Sequence, residues 1–204
     1  MPSSSKAVYF RGYVFLVYEN VYEPAEDSFL FAENLDVKKG EVVLDMGTGC
    51  GILGIIAADK AAKVVAVDIN LYAVQCAKEN AKLNGVAGEM FFVQGDLFAS
   101  IRPGEKFDLI LFNAPYLPSK PSETRSWLGR AWAGGVTGRQ VIDRFIYQVP
   151  KYLKETGCIL LMQSTLSNVD ETLRSFAGKG LKASIIAERP LPFFETIALV
   201  KVEH

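Results

Sequence analysis

Short apolar runs alternate with helix-like stretches along most of this chain, and no other feature limits its fold as strongly. Residues 41–45, 63–68, 89–94 and 106–112 are rich in Val, Ile, Leu or Phe without sustained polar–apolar alternation. Helical stretches are expected at 51–60 and about 71–83, the second ending near Asn84-Gly85. Strands that read as nearly continuous apolar runs are buried on both sides, so the pattern predicts an α/β fold with a mostly parallel sheet and helices on both faces. Further on, a helix is expected at about 138–153, a strand at 158–163, a helix at 169–177 and strands at 182–187 and 195–202. Glu188-Arg189-Pro190-Leu191-Pro192 is too short a link for a helical crossover, so the last two strands should form an antiparallel pair. At the N-terminus, residues 7–18 read as a hairpin or two edge strands broken at Gly12. Packing at a sheet edge is favoured for them over a docking role. A helix is expected at 24–35, with Pro24 in its first turn, Glu26 and Asp27 near its start, and Phe29, Leu30 and Phe31 facing the core.

The 204 residues suit one domain at 24–204 preceded by a β extension at 1–23. Half of them are apolar, enough for a large core. A net charge of −1 gives no global basic field to draw the chain onto nucleic acid. Cys50, Cys76 and Cys158 are widely spaced and the one histidine is His204, so no metal site is expected from this chain. Free thiols fit a reducing compartment, and no apolar run reaches membrane-spanning length, so a cytoplasmic protein with no membrane partner is expected.

Asp45-Met46-Gly47-Thr48-Gly49-Cys50-Gly51 joins the first core strand to its helix. Glycines there permit a tight turn and close backbone approach by a ligand, and the helix start offers amide donors. Asp68 ends the next strand, 17 positions after Gly51, where a carboxylate can take both hydroxyls of a ribose. Asp96 follows the third strand and can accept from an adenine amino group, with Leu97 beside the ring. Gly49 to Gly54 also satisfies the dinucleotide pattern GxGxxG, which is a weak signal alone. Asp45 suits an ammonium group better than a pyrophosphate, and no hydride-transfer acid is evident, so S-adenosylmethionine is favoured over a nicotinamide. Gly54 is explained equally well by strand–helix packing.

The fourth strand ends in Asn113-Ala114-Pro115-Tyr116. The Asn113 side-chain oxygen and the Ala114 carbonyl can accept the two protons of a planar –NH2 group, and the Tyr116 ring can cover its face. Pro115 biases Ala114 toward an extended conformation. The arrangement suits attack by an amide or amino nitrogen on a methyl donor.

With these motifs in hand, the chain resembles class I S-adenosylmethionine-dependent methyltransferases of the HemK/PrmC family, in particular the short archaeal–eukaryotic release-factor glutamine methyltransferases. Val21-Tyr22-Glu23-Pro24-Ala25-Glu26-Asp27-Ser28-Phe29 and Ala131-Trp132-Ala133-Gly134-Gly135, with Gly138-Arg139 and Asp143-Arg144-Phe145, carry the resemblance beyond the generic loop and tetrapeptide. It implies a Rossmann-like, seven-stranded fold and N5-methylation of the glutamine in the Gly-Gly-Gln motif of a translation release factor. It also implies that Ser28 contacts the carboxylate end of the donor and that a small zinc-binding activator is a partner. The family's usual tetrapeptide is Asn-Pro-Pro-Tyr, and Ala114 departs from it while keeping the carbonyl. Bacterial members grip the release factor with a helical N-terminal domain, whereas about twenty residues precede the match here, so docking is expected to use other surfaces or a partner. Rival acceptors of the same geometry are N6-adenine in DNA or RNA and, with a deprotonating group, protein lysine. A non-enzymatic donor-binding subunit is a further alternative. Residues 122–144, with Arg125, Arg130, Arg139, Arg144, Trp127 and Trp132, read equally as a substrate-facing lid flexible at Gly134-Gly135 or as a loop and helix with solvated ion pairs.

Overall fold

The computed structural model describes residues 5–204; the first four residues of the expected 1–23 extension, with Ser3 and Ser4, lie outside them. Seven strands form a mostly parallel sheet closed by an antiparallel C-terminal pair, and two N-terminal strands form a separate sheet. The chain divides into two compact units, Met1–Ile101 and Arg102–His204.

In the first unit, β1 (Ser5–Phe10) and β2 (Tyr13–Tyr18) form a hairpin. Arg11 and Gly12 both turn at positive φ, the twist a two-residue hairpin loop requires. Helix α1 (Glu26–Glu33) has Glu26 and Asp27 in its first turn, where the helix dipole favours acids. Its Leu30 and Phe31 are buried, and Phe29 stacks on Phe10 of the hairpin at 5.6 Å. Strands β3 (Val42–Met46), β4 (Lys63–Asp68) and β5 (Met90–Gln94) then pair in parallel, separated by α2 (Ile52–Ala58) and α3 (Leu71–Leu83). Val43, Leu44, Val64, Ala66 and Val67 are fully buried, as their apolar runs predict.

The hairpin does not join the main sheet, so edge packing is not what it does. Asn80 of α3 and Asn84 at its C-terminal cap, one turn apart, stand in for a neighbouring strand. The Leu16 N–H donates to Asn80 Oδ1 at 2.8 Å, and Asn80 Nδ2 donates back to the Leu16 carbonyl at 2.8 Å. Asn84 makes the same exchange with Val14 at 3.0 and 2.8 Å. Side-chain amides carry a donor and an acceptor in the spacing of a peptide group, so they satisfy an edge that would otherwise be buried unpaired.

In the second unit, β6 (Phe107–Asn113) runs parallel to β7 (Leu153–Ser164), and β9 (Thr196–Glu203) pairs antiparallel with both β7 and β8 (Lys182–Pro190). Three helices, α4 (Trp127–Trp132), α5 (Gln140–Gln148) and α6 (Val169–Ala177), lie between them in sequence. Ile142, Phe145 and Ile146 give α5 one buried stripe, and Phe145 meets Phe112 of β6 at 4.7 Å between ring centroids. The helix expected at 138–153 is therefore shorter: Pro150 enters a 3₁₀ turn (Val149–Lys151), and Leu153 already starts β7. Proline cannot donate to a continuing helix. The strand expected at 158–163 extends at both ends, and β8 continues to Pro190 at its free end.

Candidate active site

Three carboxylates sit at or just beyond the C-terminal ends of β3, β4 and β5. Strands in a sheet lie roughly 5 Å apart, so Asp45, Asp68 and Asp96 form a row. The bonds between them show what fixes the row. The Thr48 hydroxyl donates to Asp45 Oδ2 at 2.6 Å, and the Gly54 N–H donates to the same oxygen at 3.0 Å. The Gly49 N–H donates to Asp68 Oδ2 at 3.0 Å and the Asn70 N–H to Asp68 Oδ1 at 2.8 Å. The Gly95 N–H donates to the Asp68 carbonyl at 2.9 Å, bringing Asp96 and Leu97 alongside.

The glycines are required for different reasons. Gly47 and Gly49 turn at φ 66° and 57°, the left-handed region that favours glycine, and a Cβ on Gly49 would meet the Gly47 carbonyl oxygen at 4.0 Å. Gly54 instead makes room inside: a Cβ there would come within 2.7 Å of Asp45 Oδ2 and 3.0 Å of Met90. It is both the packing glycine and the donor that holds Asp45.

Asp45 is 1 % exposed, and burial pushes its carboxyl from 3.8 up to about 7, against the lowering effect of the Thr48 and Gly54 bonds. Nearby Asp68 adds to the rise. Burial also raises Asp68, opposed by the backbone N–H groups of Asn70, Gly49 and Ile69. Buried Asp45 and half-buried Asp68, both with raised pKa, suit a cation and hydroxyl donors, and an amino-acid ammonium and a ribose supply both. The residues therefore fit the donor that the glycine loop implies.

Ser28 is buried on α1, and its hydroxyl donates to Asp27 Oδ1 at 3.2 Å. The Ser28 N–H and the Tyr22 hydroxyl donate to the same oxygen, at 2.6 and 3.3 Å. Asp27 thus orders the first turn of α1, where only an acid near a helix start was expected. Leu97 is buried and turns at φ 49°, outside the usual range for a branched side chain. A second residue escaped the sequence reading. Asn80 is fully buried and also donates to the Cys50 carbonyl at 2.8 Å, tying the glycine loop to α3 and β2. Its one signal was polarity at a position where α3 is otherwise apolar and small, one turn before Asn84. Burial raises the thiols of both Cys50 and Cys76, the latter to about 11, so neither is a nucleophile at neutral pH.

Asn113 is the last residue of β6, opposite Met162 of β7, and Ala114 and Tyr116 are buried just beyond it. The tetrapeptide is clasped by the segment that follows α4. The Leu117 N–H donates to the Trp132 carbonyl at 3.0 Å, the Gly134 N–H to the Leu117 carbonyl at 2.8 Å, and the Ser119 N–H to the Gly135 carbonyl at 2.8 Å. A Cβ on Gly138 would lie 2.3 Å from the Tyr116 carbonyl, and one on Gly134 would lie 2.4 Å from the Gly138 carbonyl. Gly134, Gly135 and Gly138 are therefore close-approach glycines rather than a flexible hinge. Nor do all the arginines make solvated pairs. Arg139 is buried and donates to the Ser167 and Asn168 carbonyls, Thr172 Oγ1 and Asp143, bracing the start of α6. Arg130 stacks over Trp127 at 4.9 Å on the surface.

Among the described residues no group of three or more His, Cys, Asp or Glu could hold a metal ion, and no helix is long and apolar enough to cross a membrane.

Residues 23–128 match the family described as "Methyltransferase small domain". A "Putative protein N5-glutamine methyltransferase" of Methanocaldococcus jannaschii is 45% identical over 90% of this chain and 92% of its own length. "Methyltransferase HEMK2" of Homo sapiens is 33% identical over 98% of each. Among solved structures, the E. cuniculi Mtq2–Trm112 complex, described as responsible for methylating the eRF1 translation termination factor, matches with a TM-score of 0.70 at 26% identity, covering 90% of this chain and 98% of that one. Sequence motifs, sheet topology and these relatives converge, and the chain belongs to the HemK family of class I methyltransferases, among its short protein N5-glutamine methyltransferases.

Proposed function

We propose that this chain transfers a methyl group from S-adenosylmethionine to the side-chain nitrogen of the glutamine in the Gly-Gly-Gln motif of a translation release factor. One observation carries the reading: Asn113-Ala114-Pro115-Tyr116 stands at the C-terminal end of β6, fixed from outside by Gly138, in a chain of this family.

Asp45 would hold the donor's ammonium group, Gly47 and Gly49 would admit its backbone, and Ser28 would meet its carboxylate. Asp68 would accept from the ribose hydroxyls, while Asp96 and Leu97 would read the adenine. When bound, S-adenosylmethionine supplies an electrophilic methyl group on a sulfonium. The amide nitrogen is a poor nucleophile, because its lone pair is delocalised into the carbonyl. Asn113 Oδ1 and the Ala114 carbonyl would accept its two protons, orienting the lone pair along the line of displacement, and Tyr116 would pack against the amide plane. Transfer of that methyl group to the oriented nitrogen would leave S-adenosylhomocysteine and release one amide proton, which would pass to water. The gain comes from positioning and preorganised acceptors rather than from a strong base.

The catalytic domain would span 24–204, with 1–23 as its β extension; a partner subunit would pair with it, as Mtq2 pairs with Trm112 in the complex named above, and the family resemblance implies that this partner is a small zinc-binding activator. Buried free thiols fit work in the cytoplasm. The test separates donor binding from turnover. Asn113→Ala should lower kcat at least a hundredfold and leave the donor dissociation constant within twofold; equal losses in both would refute the role of Asn113.

A further inference from the structure

The turn between β8 and β9 carries two side chains that nothing in the reaction accounts for. Phe193 and Phe194 are 95% and 104% exposed, and both backbones turn at φ 63°. Left-handed backbone is costly for bulky residues and free for glycine, and a turn that only reversed the chain would use glycine or asparagine. This one keeps two phenylalanines under strain with their rings in solvent, a pattern found at ligand clamps.

The turn lies at the acceptor end of its sheet. Asn113 pairs with Met162 of β7, and Ser164 of β7 pairs with Ile197 of β9, so β9 begins where β6 ends. At roughly 5 Å per strand, the start of β9 is about 10 Å to the side of β6. A chain of contacts links the two. The Thr196 N–H donates to Thr165 Oγ1 at 3.1 Å, and a Cβ on Gly138 would touch Ser167 at 3.0 Å and Tyr116 at 2.3 Å. Exposed Leu166 and Val136 lie on these connecting segments.

We propose that Phe193 and Phe194 grip apolar side chains of the polypeptide that carries the methylated amide, and so help set which protein is modified. This rests on the reading of the chain as a protein glutamine methyltransferase. A primary amide is the same in every glutamine, so Asn113 and Tyr116 cannot select among acceptors; selection must come from flanking contacts. Two exposed rings offer roughly 400 Å², about half of one partner's ~800 Å² share in a standard interface. That is too little for a stable dimer and suits an acceptor that must leave after one turnover. Glu188, Arg189 and Glu195 flank the turn, so it carries no cluster of cations to meet an anionic membrane surface.

The test is Phe193→Gly with Phe194→Gly, assayed on the full chain with the small activator and the full-length release factor. KM for the release factor should rise about tenfold, kcat at saturation should change less than threefold, and the donor dissociation constant should hold. Glycine relieves the φ strain and removes no buried contact, so Tm should equal or exceed that of the unaltered protein. Leucine at both positions should recover most of the KM, and Tyr147→Ser, an exposed ring on α5, should leave it unchanged. An unchanged KM overturns the proposal, as does a lower Tm with parallel losses in kcat and donor binding, which would mark a structural turn. Co-sedimentation with phosphatidylserine vesicles that is lost in the glycine variant while KM holds would assign the rings to lipid instead. If the unaltered enzyme modifies another protein and not the release factor, the proposed acceptor is wrong, and the same KM comparison on that protein decides the role of the turn. Methyl label in nucleic acid alone, or in no macromolecule, overturns both.

Discussion

Replacing Asp45 with asparagine should make the ligand-free protein more stable while weakening donor binding. The carboxyl is buried and its pKa is raised from 3.8 to about 7. At ~1.4 kcal/mol per pH unit, keeping the charge in place above pH 7 costs about 4 kcal/mol. The sign follows from proton uptake. Between pH 4 and 7 the folded state holds a proton that the unfolded chain has released, so stability is fully present below about 3.8, falls as pH rises toward 7, and then levels off. Asparagine has no charge to bury, and its Oδ1 can still accept from Thr48 and Gly54, since both bonds end on one carboxylate oxygen. The contributions of those two bonds are already contained in the net rise, so the gain at pH 8 is about 4 kcal/mol, a Tm rise of about 8–16 °C for a chain of this size. Donor binding should move the other way, because the ammonium loses a charged partner: at least a hundredfold at pH 7.5. In the unaltered protein, S-adenosylhomocysteine should bind about fifteenfold more weakly at pH 5.5 than at pH 7, since it requires Asp45 ionised and half of it already is at pH 7. Thermal unfolding and calorimetric titration across pH 5–8 read both. A variant with lower Tm at pH 8, or donor affinity in the unaltered protein that is flat from pH 5.5 to 7, would refute the reasoning.

Other consequences follow from the close contacts. Gly138→Ala forces a side chain onto the Tyr116 carbonyl at φ 73°, so it should cost about 3 kcal/mol and lower Tm by about 6–12 °C, with kcat falling and donor affinity intact. A wild-type Tm would remove Gly138 as the external support of the tetrapeptide. Asn80→Ala strands the Leu16 backbone and the Cys50 carbonyl, so it should cost about 3 kcal/mol in urea unfolding and weaken donor binding several-fold through the glycine loop. Loss of stability with unchanged donor affinity would show that the Cys50 tether does not shape the loop.

The sheet and the ends of its strands were legible because burial on both faces writes itself as unbroken apolar runs. Residues 63–68 and 71–83 kept their expected bounds as β4 and α3. Asp45, Asp68 and Asp96 could be located because each follows such a run. What the sequence hid was long-range. Asn80 reads as an ordinary helical asparagine until β2, some sixty residues earlier, supplies the backbone groups it satisfies. Gly134 and Gly135 could be read as a flexible point of a lid because a local window cannot show that Leu117 and Ser119 are hydrogen-bonded to them. Pro150 gave a local warning that the fifth helix stops early, and the apolar residues around it concealed that. Phe193 and Phe194 carried no signal at all, since nothing local distinguishes an exposed phenylalanine from a buried one.

Mapping the methyl group itself tests the central claim most directly. The enzyme, with and without the proposed activator, would be incubated with labelled S-adenosylmethionine and the release factor of the same organism, and the product digested and sequenced by mass spectrometry. The account predicts one added methyl on the glutamine of Gly-Gly-Gln, absent when Asn113→Ala replaces the enzyme. An unmodified release factor alongside measurable donor binding, or a methyl on any other residue, would contradict it.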